Sequence, residues 1–149
     1  MMNRSIAALV FASTASLASA QSQPGGVASP LPAGFESKPV IKTGKTRDAQ
    51  PIVYPRTEKP ELLSVIGTLQ PGGRTPLHEH PVPVFVYVLD GELELQSEGQ
   101  PSQVYKSGEA WIESLNKKHQ VFNKGAAPAR ILVVFVGEEG KPTTITPTQ

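Results

Sequence analysis

The sequence predicts an all-β fold, either a sandwich or a barrel. No segment has a convincing apolar period of 3.6 residues, which argues against amphipathic helices. Short β-rich runs instead alternate with turn signals at a spacing of roughly ten residues, as in sandwiches and barrels. The chain has 149 residues, enough for one domain, and shows no internal repeat of fixed period.

Residues 1–20 have the pattern of a secretory signal peptide. Arg4 gives a positive start, residues 6–17 are apolar and small, and Ala-Ser-Ala at 18–20 fits the small-residue cleavage signal. The apolar run is too short to span a bilayer. We therefore expect cleavage before Gln21 and a periplasmic or secreted protein, with a retained membrane anchor as the alternative. An intact Met1 on protein from the native host would exclude cleavage.

The composition excludes several classes of function. The 14 basic and 13 acidic residues nearly cancel, and the densest basic pair, Lys117-Lys118, is typical of a solvated loop, so we expect no nucleic-acid partner. No second hydrophobic run could span a membrane, so we expect no membrane partner after cleavage. The chain has no cysteine, which excludes disulfides, thiolate metal ligands and a cysteine nucleophile. Its core, a metal or oligomerisation must therefore stabilise the fold.

The predicted elements begin after an N-terminal arm. Residues 21–50 are rich in Pro, Gly, Ser and Lys and are expected to be flexible. A barrel domain is predicted at 51–149, beginning with a short strand at 51–55 whose prolines place it at a sheet edge. The next strand is predicted at 62–69, and Pro-Gly-Gly at 71–73 ends it.

The strongest strand prediction covers residues 84–89, a run of β-branched and aromatic side chains. Asp90-Gly91 follows, and residues 92–95 alternate between polar and apolar. An Asp-Gly pair between two such runs predicts a β-hairpin. The remaining strands are expected at residues 110–112, 121–122 and 131–136, each after a turn or loop.

The three histidines of the chain are the best candidates for a binding site. On a strand, residues i and i+2 point to the same face, so His78 and His80 can converge on one ion while Glu79 points away. Imidazole nitrogens suit Fe, Ni, Cu and Zn. A third ligand from another strand would complete a facial set, and His119 is the remaining histidine.

Two spaced motifs around these histidines resemble those of the cupin family. In the first, five residues separate Gly72 from His78-Glu79-His80, and a strand ending at Gly91 follows. In the second, ten residues separate Gly108 from His119, and three residues separate His119 from Asn123. The match covers residues 71–123. No histidine of the chain lies outside the two motifs.

The resemblance implies an antiparallel double-stranded β-helix, the jelly-roll barrel. It also implies that His78, His80 and His119 occupy the three histidine positions of a metal site. The cofactor is then a divalent transition metal, Fe(II), Mn(II), Zn(II), Ni(II) or Cu(II), with its identity left open. Residue 84, where the family has its acidic ligand, is valine here.

The second motif also departs from the family pattern. Its usual proline and glycine fall at Ser114 and Asn116. The loss of an acid at Val84 has the larger chemical consequence, because three neutral imidazoles leave a divalent ion with its full charge. Such a site is expected to hold its metal less tightly and to favour an anionic ligand.

Five further residues near the motifs each have an interpretation from the sequence. Tyr87 and Trp111 are expected in the core or the pocket wall. Glu113 is expected to face solvent, with a general base or distant ligand as the alternative. Arg74 is expected in a solvated loop, with contact to a substrate carboxylate as the alternative. Asn123 is expected to satisfy backbone groups at a turn. The sequence identifies no catalytic residue.

Three functions remain open at this point. Within the cupins, three-histidine sites resemble those of thiol and diketone-cleaving dioxygenases, which implies a dioxygenase-type enzyme acting on a small anionic or polyphenolic molecule. The alternatives are a non-catalytic module that binds a small molecule or a metal, and a metal-dependent isomerase or lyase. The resemblance also implies a homodimer that pairs through an edge strand and the N-terminal arm.

Overall fold

The computed structural model describes residues 33–147, in which seven β-strands form two antiparallel sheets. The strands are β1 (Pro60–Leu69), β2 (Val84–Asp90), β3 (Glu92–Ser97), β4 (Gln103–Lys106), β5 (Ala110–Ile112), β6 (His119–Phe122) and β7 (Ala129–Glu138). One sheet has the order β1-β7-β2-β5 and the other the order β4-β3-β6. The predicted all-β jelly roll is confirmed, and the described residues include no helix that could cross a membrane.

The core lies between the inner faces of the two sheets. In β2, Val84, Val86 and Val88 are at most 2% exposed and alternate with half-buried residues. In β3, Leu93 and Leu95 alternate in the same way with polar residues. This period of two places one row of each strand inside, and burying each such side chain fully contributes roughly 1.5–3 kcal/mol. The alternation therefore explains both the strands and their packing.

The segment before β1 differs from the prediction. No strand forms at 51–55, where Pro51 makes only an isolated bridge to Lys45. Two prolines in five residues remove the N–H donors that a ladder needs. The backbone N–H of Arg47 donates to the carbonyl of Ile112 in β5 at 2.9 Å. Part of the predicted arm thus contacts the barrel.

The predicted signal peptide at 1–20 lies outside the described residues, as does the first part of the predicted arm at 21–50. The compact unit that contains both sheets begins at Ser37. The predicted domain boundaries stay predictions.

The hairpin prediction at Asp90-Gly91 is wrong. β2 pairs with β5 and β7, whereas β3 pairs with β4 and β6, so the chain passes from one sheet to the other at this turn. Gly91 has a φ of 79°, and a Cβ at this position would lie 2.9 Å from the Cβ of Ala129. Only glycine permits both this backbone conformation and this close approach.

We expect Gly91→Ala to destabilise the protein by about 1–3 kcal/mol more than Gly99→Ala. Gly99 is a matched control because its φ is 70° but nothing lies within 4 Å of a Cβ placed there. The difference therefore isolates the close contact with Ala129. Urea unfolding of the two variants measures it, and equal destabilisation would contradict the steric explanation.

Candidate metal centre

The backbone brings two of the three histidines side by side. The N–H of His119 donates to the carbonyl of His78 at 2.8 Å, and the N–H of His78 donates to the carbonyl of His119 at 3.1 Å. Residues that exchange both bonds in an antiparallel pair lie directly opposite, with their side chains on one face. His80 lies two residues after His78 and returns to that face.

The candidate ligand atoms of the three histidines all lie within 4.8 Å of one another. Ring centroids are 4.3 Å apart for His78 and His119, 4.8 Å for His78 and His80, and 5.0 Å for His80 and His119. His80 and His119 are buried, and His78 is half-buried. The structure thus brings together all three predicted ligand positions. Their role in binding a metal stays a prediction.

The Nδ1 atom of each imidazole hydrogen-bonds to a backbone carbonyl. The acceptors are Pro76 O for His78 (2.7 Å), Thr143 O for His80 (2.8 Å) and Lys117 O for His119 (2.9 Å). A carbonyl can only accept, so each Nδ1 carries the hydrogen and each Nε2 keeps a free lone pair in the neutral ring. Among the described residues, the buried Nε2 of His119 has no hydrogen-bond partner. This donor set fits a divalent transition metal.

Burial also keeps the imidazoles neutral. Desolvation lowers the pKa of His78 and of His119, and it lowers the pKa of His80 to about 4. The carbonyl acceptor at each Nδ1 opposes this effect only in part. All three rings are therefore neutral at pH 7, the state in which imidazole binds metals.

A cavity of ≈ 330 Å³ lies next to the histidines, between the two sheets. His78, His80, Trp111, Glu113 and Phe135 are among its lining residues. The volume lies at the lower end of the range for small-molecule sites. A larger groove of ≈ 540 Å³ elsewhere on the surface has none of the three histidines in its lining. The smaller cavity is therefore the candidate binding site.

Glu113 lies in this cavity, and the prediction that it faces solvent is wrong. Its residue surface is 4% exposed, and its Oε2 lies 3.5 Å from Nε2 of His119. Burial raises the pKa of Glu113 to about 7. The indole N–H of Trp111 faces the carboxylate without reaching ordinary hydrogen-bond geometry, and it offsets part of that rise in pKa.

The sequence contained a signal for this position. Trp111 and Glu113 are two residues apart at the end of β5, so a strand that buries the indole also turns the glutamate inward. The prediction that Glu113 faces solvent relied on the general preference of glutamate for the surface. That preference depends on residue type and ignores which face of the strand the residue occupies.

A protein-family model described as "Cupin domain" matches residues 65–135. This segment contains all three histidines and all seven strands in whole or in part, in the jelly-roll arrangement. Residues 65–135 therefore form a cupin domain.

Solved structures share the fold. A DMSP lyase from Ruegeria pomeroyi is 22% identical at a TM-score of 0.51, with 57% of this chain and 42% of that chain covered. Oxalate decarboxylase from Lactobacillus farciminis is 22% identical at a TM-score of 0.50, with 57% of this chain and 26% of that chain covered. An oxalate oxidase in complex with the substrate analogue glycolate is 26% identical at a TM-score of 0.50, with 56% of this chain and 45% of that chain covered. The cupin thus spans less than half the length of these proteins. No curated protein matches it.

The structure shows the surroundings of the three positions that depart from the cupin motifs. Asn116 has a φ of 52°, a left-handed conformation that asparagine tolerates better than most residues other than glycine. Ser114 is buried at 1% exposure. Val84 is fully buried on the inner row of β2, so it occupies the interior position that the motif assigns to the acid.

The remaining predicted residues have mixed outcomes. Trp111 is buried in the cavity wall, as predicted. Tyr87 is half-buried on the face of β2 opposite to Val86 and Val88, so its prediction as core or pocket wall is wrong. Arg74 is exposed and also lines the cavity, which leaves contact with a substrate open.

The prediction for Asn123 is confirmed. Its amide nitrogen donates to the carbonyls of Leu69 and Ala127, each at 2.8 Å, and its Oδ1 accepts from the N–H of Gly125 at 3.0 Å. The residue is 1% exposed. It therefore joins the end of β1 to the loop after β6 through buried hydrogen bonds.

We expect His80→Gln to become more stable relative to the wild type as the pH falls from 6.5 to 4, by about 2–3 kcal/mol in the metal-free protein. The folded pKa of His80 is about 4 and the ordinary pKa of a histidine side chain is about 6.5, so in this window the unfolded wild type binds a proton that the folded wild type does not. Acid therefore destabilises the wild type through this group, and glutamine removes the effect.

Urea unfolding of both proteins across this pH range, with chelator present, measures the difference. The comparison cancels the opposing contribution of Glu113, whose raised pKa stabilises the fold as the pH falls from about 7 toward 4.5. Parallel pH profiles for the two proteins would contradict the assignment to His80.

Proposed function

We propose that this cupin is a metal-dependent enzyme of the dioxygenase type that acts on a small anionic or polyphenolic molecule. The observation that carries the proposal is the convergence of three neutral imidazoles on one point beside the cavity, each with Nδ1–H on a carbonyl and Nε2 free. A bound ion would supply a Lewis acid and, as Fe(II), the capacity for dioxygen chemistry. Mn(II), Zn(II), Ni(II) and Cu(II) also suit the donor set.

The cavity walls support a small substrate. Val86, Ile131 and Phe135 give one side an apolar surface that limits access of water. Arg74 supplies a guanidinium at the same cavity, which can pair with a carboxylate or a phenolate of the substrate. The likeness to an oxalate oxidase, whose structure holds the substrate analogue glycolate, supports the anionic alternative.

We expect each of His78→Ala, His80→Ala and His119→Ala to lower metal occupancy at least about ten-fold relative to the wild type, because each removes one of three ligands. Glu79→Ala is the matched control, since Glu79 lies between two of the histidines in sequence but does not line the cavity. Elemental analysis of protein purified without a polyhistidine tag measures occupancy. Unchanged metal in His119→Ala would exclude a site shared by the two motifs.

Oxygen uptake separates the functional alternatives. The Fe(II)-loaded wild type is expected to consume oxygen with a small carboxylate or a catechol-type substrate, and His119→Ala is expected not to. Conversion of substrate without oxygen uptake would favour the isomerase or lyase. Tight binding of metal or ligand without turnover across such a panel would favour the binding module.

We further propose that the cupin forms a homodimer through β1. This strand lies at the edge of its sheet, and its outer row includes Leu62 at 67% and Ile66 at 60% exposure. Unpaired edge strands with exposed apolar side chains favour association with another chain.

Light scattering at micromolar concentration is expected to give a dimer mass for the wild type and a monomer mass for Ile66→Glu, because a charge would be buried in the interface. Val104→Glu is the control, since Val104 is 49% exposed on β4, an edge strand of the other sheet. A monomeric wild type would exclude the dimer.

A further inference from the structure

Val84, which stands where the motif has its acid, and the buried Glu113 are cross-strand neighbours. In the β2–β5 ladder, Phe85 is opposite Ile112 and Val86 is opposite Trp111. One step further, the N–H of Glu113 donates to the carbonyl of Val84 at 2.9 Å, so the ladder continues to these two residues. Directly opposite residues of an antiparallel pair point to the same face, with Cβ atoms about 4.5–5.5 Å apart.

Both side chains of this pair are inside the barrel. Val84 is 0% exposed and Glu113 is 4% exposed. The family motif assigns its carboxylate to residue 84, which is valine here. The chain instead has a carboxylate on the adjacent strand, on the same face and at the same level. The chain therefore has a buried carboxylate directly beside the position at which the motif places its acid.

The distance from Glu113 to the histidines fits shared coordination of one ion. Its Oε2 is 3.5 Å from Nε2 of His119, the nitrogen left free by the bond from Nδ1 to Lys117 O. Two ligand atoms that each lie about 2.1 Å from one ion are about 3.0 Å apart in octahedral and about 3.4 Å apart in tetrahedral geometry. A small rotation of either side chain brings the pair to these values.

Charge balance points in the same direction. Three neutral imidazoles contribute nothing against the charge of a divalent ion, and a buried carboxylate needs a cation close by. Arg47 is a nearby cation, but its guanidinium donates to the carbonyl of Pro101 at 3.1 Å. An ion held by the histidines would be the direct counter-charge of Glu113.

We propose that Glu113 is the fourth protein ligand of the metal site, in place of the acid that the motif expects at Val84. The inference rests on the proposed function only for the requirement that His78, His80 and His119 hold an ion. A three-histidine, one-carboxylate site on this cavity carries one less unit of positive charge than a three-histidine site.

The first test is calorimetric titration of the metal-free full chain with Zn(II). Glu113→Gln keeps the shape of the side chain and removes its charge, and we expect the Kd to rise on the order of 100-fold. Glu79→Gln makes the same charge change near the site but outside the cavity, and its Kd is expected to stay within about five-fold of the wild type.

The second test reads the ligand set directly. We expect Glu113→Gln to change the visible absorption bands of the Co(II)-loaded protein, because water replaces the carboxylate, and we expect Glu79→Gln to leave them unchanged. Exchanging the pair provides a rescue: Glu113→Val should lose affinity for Zn(II), and the double variant Val84→Glu/Glu113→Val should regain most of it.

The outcomes separate this inference from the proposed function. If Glu113→Gln binds Zn(II) like the wild type with unchanged Co(II) bands, Glu113 is not a ligand, while the histidine site stands. If the wild type and His119→Ala bind Zn(II) equally, the proposed metal site itself is wrong. A double variant that folds but binds no better than Glu113→Val would also overturn the exchange of positions across the strand pair.

Discussion

The reciprocal backbone hydrogen bonds between His78 and His119 are the interaction on which the candidate site depends. They join a segment before β2 to the start of β6, two parts of the chain 41 residues apart in sequence. This pairing sets the two imidazoles on one face and so determines where the cavity has its polar end. His80 returns to the face of His78 two residues along the chain, and the pairing of β5 with β2 brings Glu113 to the same site.

The barrel supports this arrangement by two means. Its apolar core fixes the strands, with β2 and β3 each contributing one fully buried row. Its backbone carbonyls fix the imidazole rings, because each Nδ1–H donates to a carbonyl oxygen and each Nε2 is therefore left free. The same burial lowers the pKa of all three imidazoles. A protein of ordinary composition thus maintains three unprotonated nitrogens around one point.

The charge of the site is its second defining property. With valine at residue 84, the histidines alone would form a site of high positive charge once an ion is bound. Glu113 lies opposite that valine and 3.5 Å from His119, which places a carboxylate where this charge would develop. Whether that carboxylate binds the ion or only faces it decides how many positions remain for a substrate. The charge and the open positions of the proposed metal site therefore depend on one residue pair of the β2–β5 ladder.

The sequence by itself missed β4 and predicted a strand at 51–55 that does not form, but it determined the other six strands, the common face of His78 and His80, and the family resemblance. These follow from local period and spacing, which depend only on nearby residues. The tertiary structure alone decided that Asp90-Gly91 joins two sheets, that Glu113 is buried and that Tyr87 faces outward. Each of these depends on which distant strands pair, and a run of apolar residues does not encode its partner. The ring tautomers likewise needed the fold, because the carbonyl bonded to His80 comes from Thr143, 63 residues away in sequence.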